Sequence, residues 1–297
     1  MLNASEGEHI MMVTVFTATF NRAGLLGRVY ESLLRQTCRD FEWLVVDDGS
    51  ADDTRAVVEG FAAQGRIPIR YIWKPNGGKH TAINVGAREA RGELFFTADA
   101  DDWLPPHSIA TVVEQFEAIK DDARFAGVCG LDAYDDGKVV GGGLPQAVID
   151  GTSLDIRYKH HVTGDLKEVF RTSVMREFPF PEIEGERFCP EALVWNRIAT
   201  RYMLRCFNTP IYIAEYQPNG LTANITKIRM KSPVASMMTY SELACMPIPV
   251  AQKIKAAINY WRFALCARKR VVKVALWAYA FAPLGWAMHL NDKKVIR

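Results

Sequence analysis

Glu93-Leu94-Phe95-Phe96-Thr97-Ala98-Asp99-Ala100-Asp101-Asp102 is the stretch on which the reading of this chain turns. Leu94, Phe95 and Phe96, with Ala98 after Thr97, predict a short buried strand. It runs straight into three carboxylates in four positions, closed by Trp103-Leu104-Pro105-Pro106. Like charges crowded at the end of a buried strand resist desolvation and oppose one another's ionisation. A divalent cation relieves that cost: Mg²⁺ or Mn²⁺ prefers oxygen ligands and commonly binds through one or two carboxylates plus substrate phosphates. The competing reading is a solvated acidic loop.

Upstream, Met11 to Thr19 is apolar and β-branched, a first strand ended by Asn21-Arg22. From Ala23 to Gln36, Leu25, Leu26, Val29, Leu33 and Leu34 fall at helical spacing. Phe41 to Val46 is a second strand that stops at Asp47-Asp48-Gly49-Ser50, and Ser50 or Asp52 is placed to cap a helix over Asp53 to Gln64. Pro68 to Trp73 is a third strand, and a helix from about Lys79 to Ala90 leads to Gly92 and the carboxylate strand. Strict strand–helix alternation predicts an α/β fold with a doubly wound, Rossmann-like, mostly parallel sheet. In such sheets ligands sit beyond the carboxyl ends of the strands. Three of these four strands end in polar clusters: Thr17/Thr19/Asn21, Asp47/Asp48 and Asp99/Asp101/Asp102.

Neither GxGxxG after the first strand nor GxxxxGK[ST] is present, so this is not a dinucleotide site or a phosphate loop. Phosphates would be held by a metal, helped by helix N-termini and by Lys79 or Arg22.

Two runs, Val13 to Thr54 (VTVFTATFNRAGLLGRVYESLLRQTCRDFEWLVVDDGSADDT) and Asn76 to Pro106 (NGGKHTAINVGAREARGELFFTADADDWLPP), resemble the nucleotide-sugar half of family 2 inverting glycosyltransferases of the bacterial polysaccharide-biosynthesis type, which have the GT-A fold. Glu191 to Arg197 sits where that family carries an ED-x-x-x-W/L-x-R segment, with Ala192 in place of the Asp. The resemblance implies that Thr17, Thr19, Asn21 and Arg22 line the nucleotide pocket and that Asp47 accepts from uracil or ribose. It places Lys79 and Asn84 near the nucleotide and diphosphate, and Asp99 and Ala100 near the ribose. Asp101, supported by Asp102, would hold the Mn²⁺ or Mg²⁺ that bridges the donor phosphates, and Glu191 would be the catalytic base. The chemistry is consistent with this: sugar transfer from a diphosphate needs charge neutralised on the leaving group and a carboxylate to take the acceptor hydroxyl's proton.

Each residue also has a plainer reading. Asp47-Asp48-Gly49-Ser50 makes a turn, and Glu191 after Pro190 suits a helix start on dipole grounds alone. His80 is a helix-entry residue whose contact with the donor stays open. Two other functions stay open as well. One is a catalytically inactive sugar-nucleotide-binding or scaffold protein, which Ala192 favours; the other is a sugar nucleotidyltransferase, which would want a Gly-rich basic loop after the first strand.

The second half is less legible. Phe125 to Tyr134, Lys167 to Arg171 and Pro210 to Tyr216 read as strands, Val148 to Arg157 as irregular, and the acidic loop Glu182 to Glu186 as a segment able to close over substrate. The expected organisation is a GT-A domain over 11–225, split into a nucleotide-sugar half (11–106) and an acceptor half (107–225), then a helical tail over 226–297. In that tail Ala251 to Lys269 reads as a basic, aromatic-bearing helix of the kind that lies on anionic membranes. Val271 to Leu290 is apolar, but Lys273 and the Pro283-Leu284-Gly285 break favour an interfacial or re-entrant pair over a span. The alternative is a helical hairpin packed on the domain or on a second copy as a homodimer.

At 297 residues, 49% apolar and 24% charged, the chain is globular, and a net charge of +2 argues against a nucleic-acid partner. Six scattered cysteines without CxxC pairs read as reduced thiols, and Met1 to Met11 has no export signal. The expectation is a cytoplasmic protein, peripheral on the inner face of the membrane, with a UDP-sugar donor and a glycan or lipid-linked oligosaccharide acceptor.

Overall fold

The computed structural model describes residues 11–215, 224–267 and 272–295. Eight strands form one sheet in the order β3-β2-β1-β4-β7-β5-β8-β6. The first four are β1 (Val13–Thr19), β2 (Phe41–Asp47), β3 (Ile69–Trp73) and β4 (Leu94–Thr97), all parallel. Their period-2 patterns sort side chains onto two faces. Val13, Val15, Trp43, Val45, Leu94 and Phe96 point to one core, and Phe16, Leu44, Val46 and Phe95 to the other.

Helices α1 (Leu26–Leu34), α2 (Thr54–Ala63) and α4 (Ser108–Glu117) cover the first face. The second is covered by α3 (Lys79–Glu89), α6 (Thr172–Glu177) and α7 (Glu191–Ala199). Asp53 stands at the N-cap position of α2, but it is the expected Asp52 whose Oδ1 caps the first residue, accepting from Thr54 N–H at 3.2 Å and from Thr54 Oγ1 at 2.6 Å; Ser50 does not cap the helix. Ser50 Oγ instead accepts from Asn21 N–H, and Asp52 accepts from Ala23 N–H, so both tie the loop after β2 to the loop after β1.

The sheet continues through β5 (Phe125–Ala133), β7 (Leu166–Arg171) and β8 (Met203–Ile213). β7 runs antiparallel to β4 and β5, while β8 is parallel to β5, so the sheet remains mostly parallel. The expected irregular region 148–157 is ordered instead. Val148–Gly151 is edge strand β6, antiparallel to β8, and Ser153–Tyr158 is helix α5, fixed by a reciprocal cap between Thr152 and Asp155. β8 begins seven residues before the expected Pro210, and its register against β5 shifts three times, which bends it. Tyr216 lies outside the described residues.

The acidic loop expected to close over substrate is anchored at both ends. Asn84 donates to Glu182, and Glu186 accepts from the amides of Val234 and Ala235 at the start of α9 (Pro233–Cys245), behind α8 (Ile225–Lys231). The tail is docked rather than loose: Arg197 of α7 makes a two-pronged pair with Glu242 of α9, at 2.6 and 2.8 Å. The helix expected to lie on a membrane, α10 (Val250–Ala264), is internal to this tail. It buries Ala256, Ala257, Tyr260, Trp261 and Phe263 between α9 and α11 (Ala282–Val295), so this helix packs within the tail. Arg268 to Val271, the most basic part of the expected surface, lies outside the described residues.

Candidate active site

The strand order reverses between β1 and β4, and a crevice opens there beyond the strand tips. It is a cleft of about 630 Å³. β1 contributes Thr19, β4 runs into Asp99, Ala100, Asp101 and Asp102, and the N-terminal turns of α3 and α7 contribute Lys79 and Glu191. The second half of the chain adds Asp132 near the end of β5, Lys167 and Glu168 from β7, and Tyr212 from β8.

Three ion pairs organise this side of the cleft. Lys79 Nζ lies 2.6 Å from Asp99 Oδ1 and 2.8 Å from Glu191 Oε1. Burial draws the Lys79 ammonium toward deprotonation, but the two carboxylates overcome this and hold it above its ordinary range. Burial likewise pushes Asp99 up, and Lys79 with Lys167 brings it down to about 2. Arg22 Nη1 sits 2.5 Å from Asp101 Oδ2. Glu191 keeps 42% of its side chain exposed at the start of α7, where an acid is favoured by the helix dipole.

Behind these pairs Tyr212 is a hub. Its hydroxyl donates to Asp102 Oδ2 at 2.8 Å and accepts from Asp99 N–H at 2.7 Å. Glu215 N–H donates to the other Asp102 oxygen at 2.8 Å, so both oxygens of Asp102 are engaged. Burial and the neighbouring Asp99 raise Asp102 to about 6. Lys167 Nζ stands 3.5 Å above the Tyr212 ring. Burial raises Asp132 to about 6 and Glu168 to about 7.

Four expected donor residues are elsewhere. Thr17 is fully buried and accepts from Trp43 Nε1 at 3.0 Å, on the face toward α1. Asn21 adopts a left-handed φ of 52° and accepts from Ala51 N–H, closing the loop rather than lining the cleft. Asp47 is buried with both oxygens taken, by Tyr71 OH at 2.6 Å and by Ser50 N–H at 2.8 Å. Asn84 clamps the backbone of Phe180 in both directions and donates to Glu182. Its neighbour at the helix entry, His80, is buried and is not among the residues that line the cleft.

Asp48 does reach the cleft, and it organises the loop before α3. It accepts from Lys74 at 2.6 Å and from the amides of Gly77 and Gly78 at 2.9 and 2.7 Å. Gly78 has φ +98°, and a Cβ there would lie 2.0 Å from Arg187 O, so only glycine fits this turn. Sequence reasoning did not assign Asp132, Lys167, Glu168 or Tyr212 to the site.

No set of three or more His, Cys, Asp or Glu side chains forms a ready cation cage among the described residues. The donor chemistry nevertheless suits a substrate-completed cation. Asp99 and Asp101 are two carboxylates on one turn, each balanced by a cationic side chain, and Mg²⁺ or Mn²⁺ commonly takes one or two carboxylates plus phosphate oxygens. Both oxygens of Asp102 are engaged by Tyr212 and Glu215, whereas Asp99 and Asp101 each meet a cationic side chain.

Comparison with known proteins agrees with this geometry. The family described as "Glycosyl transferase family 2" matches residues 14–136. An uncharacterized glycosyltransferase of Nostoc sp. is 37% identical over 107 residues, 36% of this chain and 33% of that one. Chondroitin synthase of Escherichia coli is 33% identical over 110 residues, 37% of this chain and 16% of that one. The chain thus matches a third or less of the length of these two relatives. Among solved structures, S. aureus TarS 1-349 in complex with UDP-GlcNAc superposes with TM-score 0.60 at 16% identity, over 95% of this chain and 89% of that one. Mannosyltransferase PcManGT from Pyrobaculum calidifontis, in complex with GDP-Man and Mn2+, gives TM-score 0.56 at 19% identity, over 94% and 80%. Residues 14–136 thus resemble glycosyl transferase family 2, and the mixed α/β sheet with the cleft at the β1/β4 reversal is the GT-A fold that these solved structures share.

Proposed function

We propose that the protein transfers a sugar from a UDP-sugar to a hydroxyl of a glycan acceptor in one displacement that inverts the anomeric centre. The observation that carries this reading is Glu191: a half-exposed carboxylate on the same cleft as Lys79, Asp99 and Asp101, with no other carboxylate at its helix start. Glu191 takes the proton of the acceptor hydroxyl as that oxygen bonds to C1 of the sugar. The C1–O bond to the diphosphate breaks, and the nucleoside diphosphate leaves with the electron pair. Lys79 and Arg22 are the cations placed to meet its charge. A Mn²⁺ or Mg²⁺ held by Asp99 and Asp101 would neutralise charge on the same leaving group.

The complexes of TarS with UDP-GlcNAc and of PcManGT with GDP-Man and Mn2+ support a nucleotide-sugar donor and a metal, and the chondroitin synthase match supports a role in polysaccharide synthesis. The acceptor is read as a lipid-linked glycan in cell-surface polysaccharide synthesis, a reading supported by the character of the tail considered below. A second reading, a protein that binds sugar nucleotides without turnover, is favoured by Ala192, which lines the cleft where the family carries Asp.

Glu191→Gln separates the two. With a panel of UDP-sugars, calorimetry and product release should show retained UDP affinity and a rate loss of about a hundredfold or more, the scale of a missing general base. Chelation should weaken UDP binding, and magnesium or manganese should restore it. Undiminished turnover in Glu191→Gln would overturn the assignment, and a wild-type protein that binds UDP-sugars without product would leave the second reading standing.

A further inference from the structure

Helix α11 is packed inside out. Its inward positions, Gly285, His289 and Asp292, recur at helical spacing and face α10. At Gly285 the two helices touch: a Cβ there would lie 2.4 Å from Trp261 Cβ and 2.7 Å from Ile258 O. His289 Nδ1 is 3.1 Å from Arg262 O, and Asp292 receives both prongs of the Arg262 guanidinium at 2.5 and 2.6 Å.

The outward positions are apolar. Leu284, Trp286 (56% exposed) and Leu290 face away from the protein, and the preceding 3-10 turn, Leu276–Phe281, adds Leu276 (88% exposed) and Tyr279. A helix facing water normally shows the opposite polarity, with its apolar stripe on the core. Exposed large apolar side chains gathered on one 3-10 turn and the helix after it mark a contact with something apolar.

The charges around the patch identify what that is. Exposed Lys273 precedes the 3-10 turn, and exposed Lys293 and Lys294 follow Leu290. From Val250 onward the one acid in the sequence is Asp292, and it is held by Arg262. A basic rim around Trp, Tyr and Leu side chains matches an anionic bilayer surface, where aromatic rings sit at headgroup depth and Lys meets lipid phosphate. A second copy fits less well, because each copy would bring the same basic patch and, with Asp292 held by Arg262, no free acid from this stretch to pair with its partner's lysines. No helix among the described residues is long and apolar enough to cross a membrane, so the element would lie in the interface plane.

We propose that the 3-10 turn and α11 form a docking face for anionic lipid, presented by the α9–α10–α11 unit that Arg197 and Glu242 fix to the catalytic domain. The face does not depend on the transfer reading, and its test needs no turnover. The full chain is floated with vesicles of phosphatidylcholine alone and of phosphatidylcholine with phosphatidylglycerol, and tryptophan emission is quenched with brominated lipid. Binding to the anionic vesicles should exceed that to the neutral ones by about tenfold, fall with added salt, and bring quenching. The double variant Trp286→Ser/Leu290→Ser should lose about tenfold in partitioning with unchanged thermal melting, since both side chains face outward. Lys293→Gln/Lys294→Gln should weaken binding to anionic vesicles while leaving neutral ones as before. Equal partitioning of wild type and the Trp286/Leu290 variant would overturn the proposal. So would absence of vesicle binding together with a dimer that this variant dissociates in sedimentation, which would make a second copy the occupant.

Discussion

Lys79 and Glu191 meet across the cleft, 2.8 Å from Nζ to Oε1, and the same ammonium lies 2.6 Å from Asp99 Oδ1. One cation therefore joins the candidate base to the acidic turn after β4. The diphosphate of a bound donor is a competing anion for that ammonium, and drawing Lys79 toward it would release Glu191 for the acceptor. Donor binding and release of Glu191 would thus be coupled through a single side chain.

Lys79→Met removes that coupling. Losing charge-assisted hydrogen bonds of about 1.5–3 kcal/mol each should lower UDP affinity by about ten- to a hundredfold. Turnover at saturating donor should fall by much less than in Glu191→Gln, because the carboxylate remains. Calorimetry with UDP and saturation kinetics check this; wild-type UDP affinity in Lys79→Met would refute the coupling.

Asp48 predicts a structural defect. The carboxylate is buried and accepts from Lys74, Asn76 and the amides of Gly77 and Gly78, holding the turn that starts α3. Asp48→Ala leaves those donors and the Lys74 charge without their partner, at a cost of about 3 kcal/mol or more. Chemical denaturation should show that loss, together with weaker UDP binding, since Lys79 opens the helix this turn positions. Unchanged stability would contradict the hydrogen-bond pattern.

The first four strands were legible because each is a run of Val, Ile, Leu and aromatics whose alternate positions serve two cores, and both cores need apolar residues. β6 was hidden because an edge strand as short as Val148–Gly151 buries only every second residue, although Thr152 and Asp155 carried a capping signal. Within the site, the acidic turn, Lys79 and Glu191 were legible from local pattern and resemblance. Thr17 and Asp47 were misplaced because sequence shows that a strand ends in polar residues but not which of them clears the sheet. Thr17 stops two residues short of the β1 tip, beneath Trp43, and it is Asp48, one residue beyond β2, that reaches the cleft. Asp132, Lys167 and Tyr212 meet only through the order β7-β5-β8, which no local spacing encodes.

Asp132 gives the acceptor half a pH signature. It is 6% exposed, and its Oδ1 is buried without a hydrogen-bond partner. Burial raises its pKa from an ordinary 3.8 to about 6. Between those values the folded chain keeps a proton that the unfolded chain has released, so this group's contribution to stability falls as pH rises from about 4 to 6 and is level above. Asp132→Asn cannot ionise and escapes that loss. It should match wild type near pH 3.5 and exceed it at pH 8 by up to about 3 kcal/mol, the equivalent of the pKa difference. Asp102 and Glu168 titrate in overlapping windows, at about 6 and about 7, so the wild-type slope is shared among the three and the variant removes only one portion. Denaturant melts of both proteins at the two pH values check the sign. A variant less stable than wild type at pH 8 would mean that ionised Asp132 is held by Lys167 strongly enough to outweigh its burial.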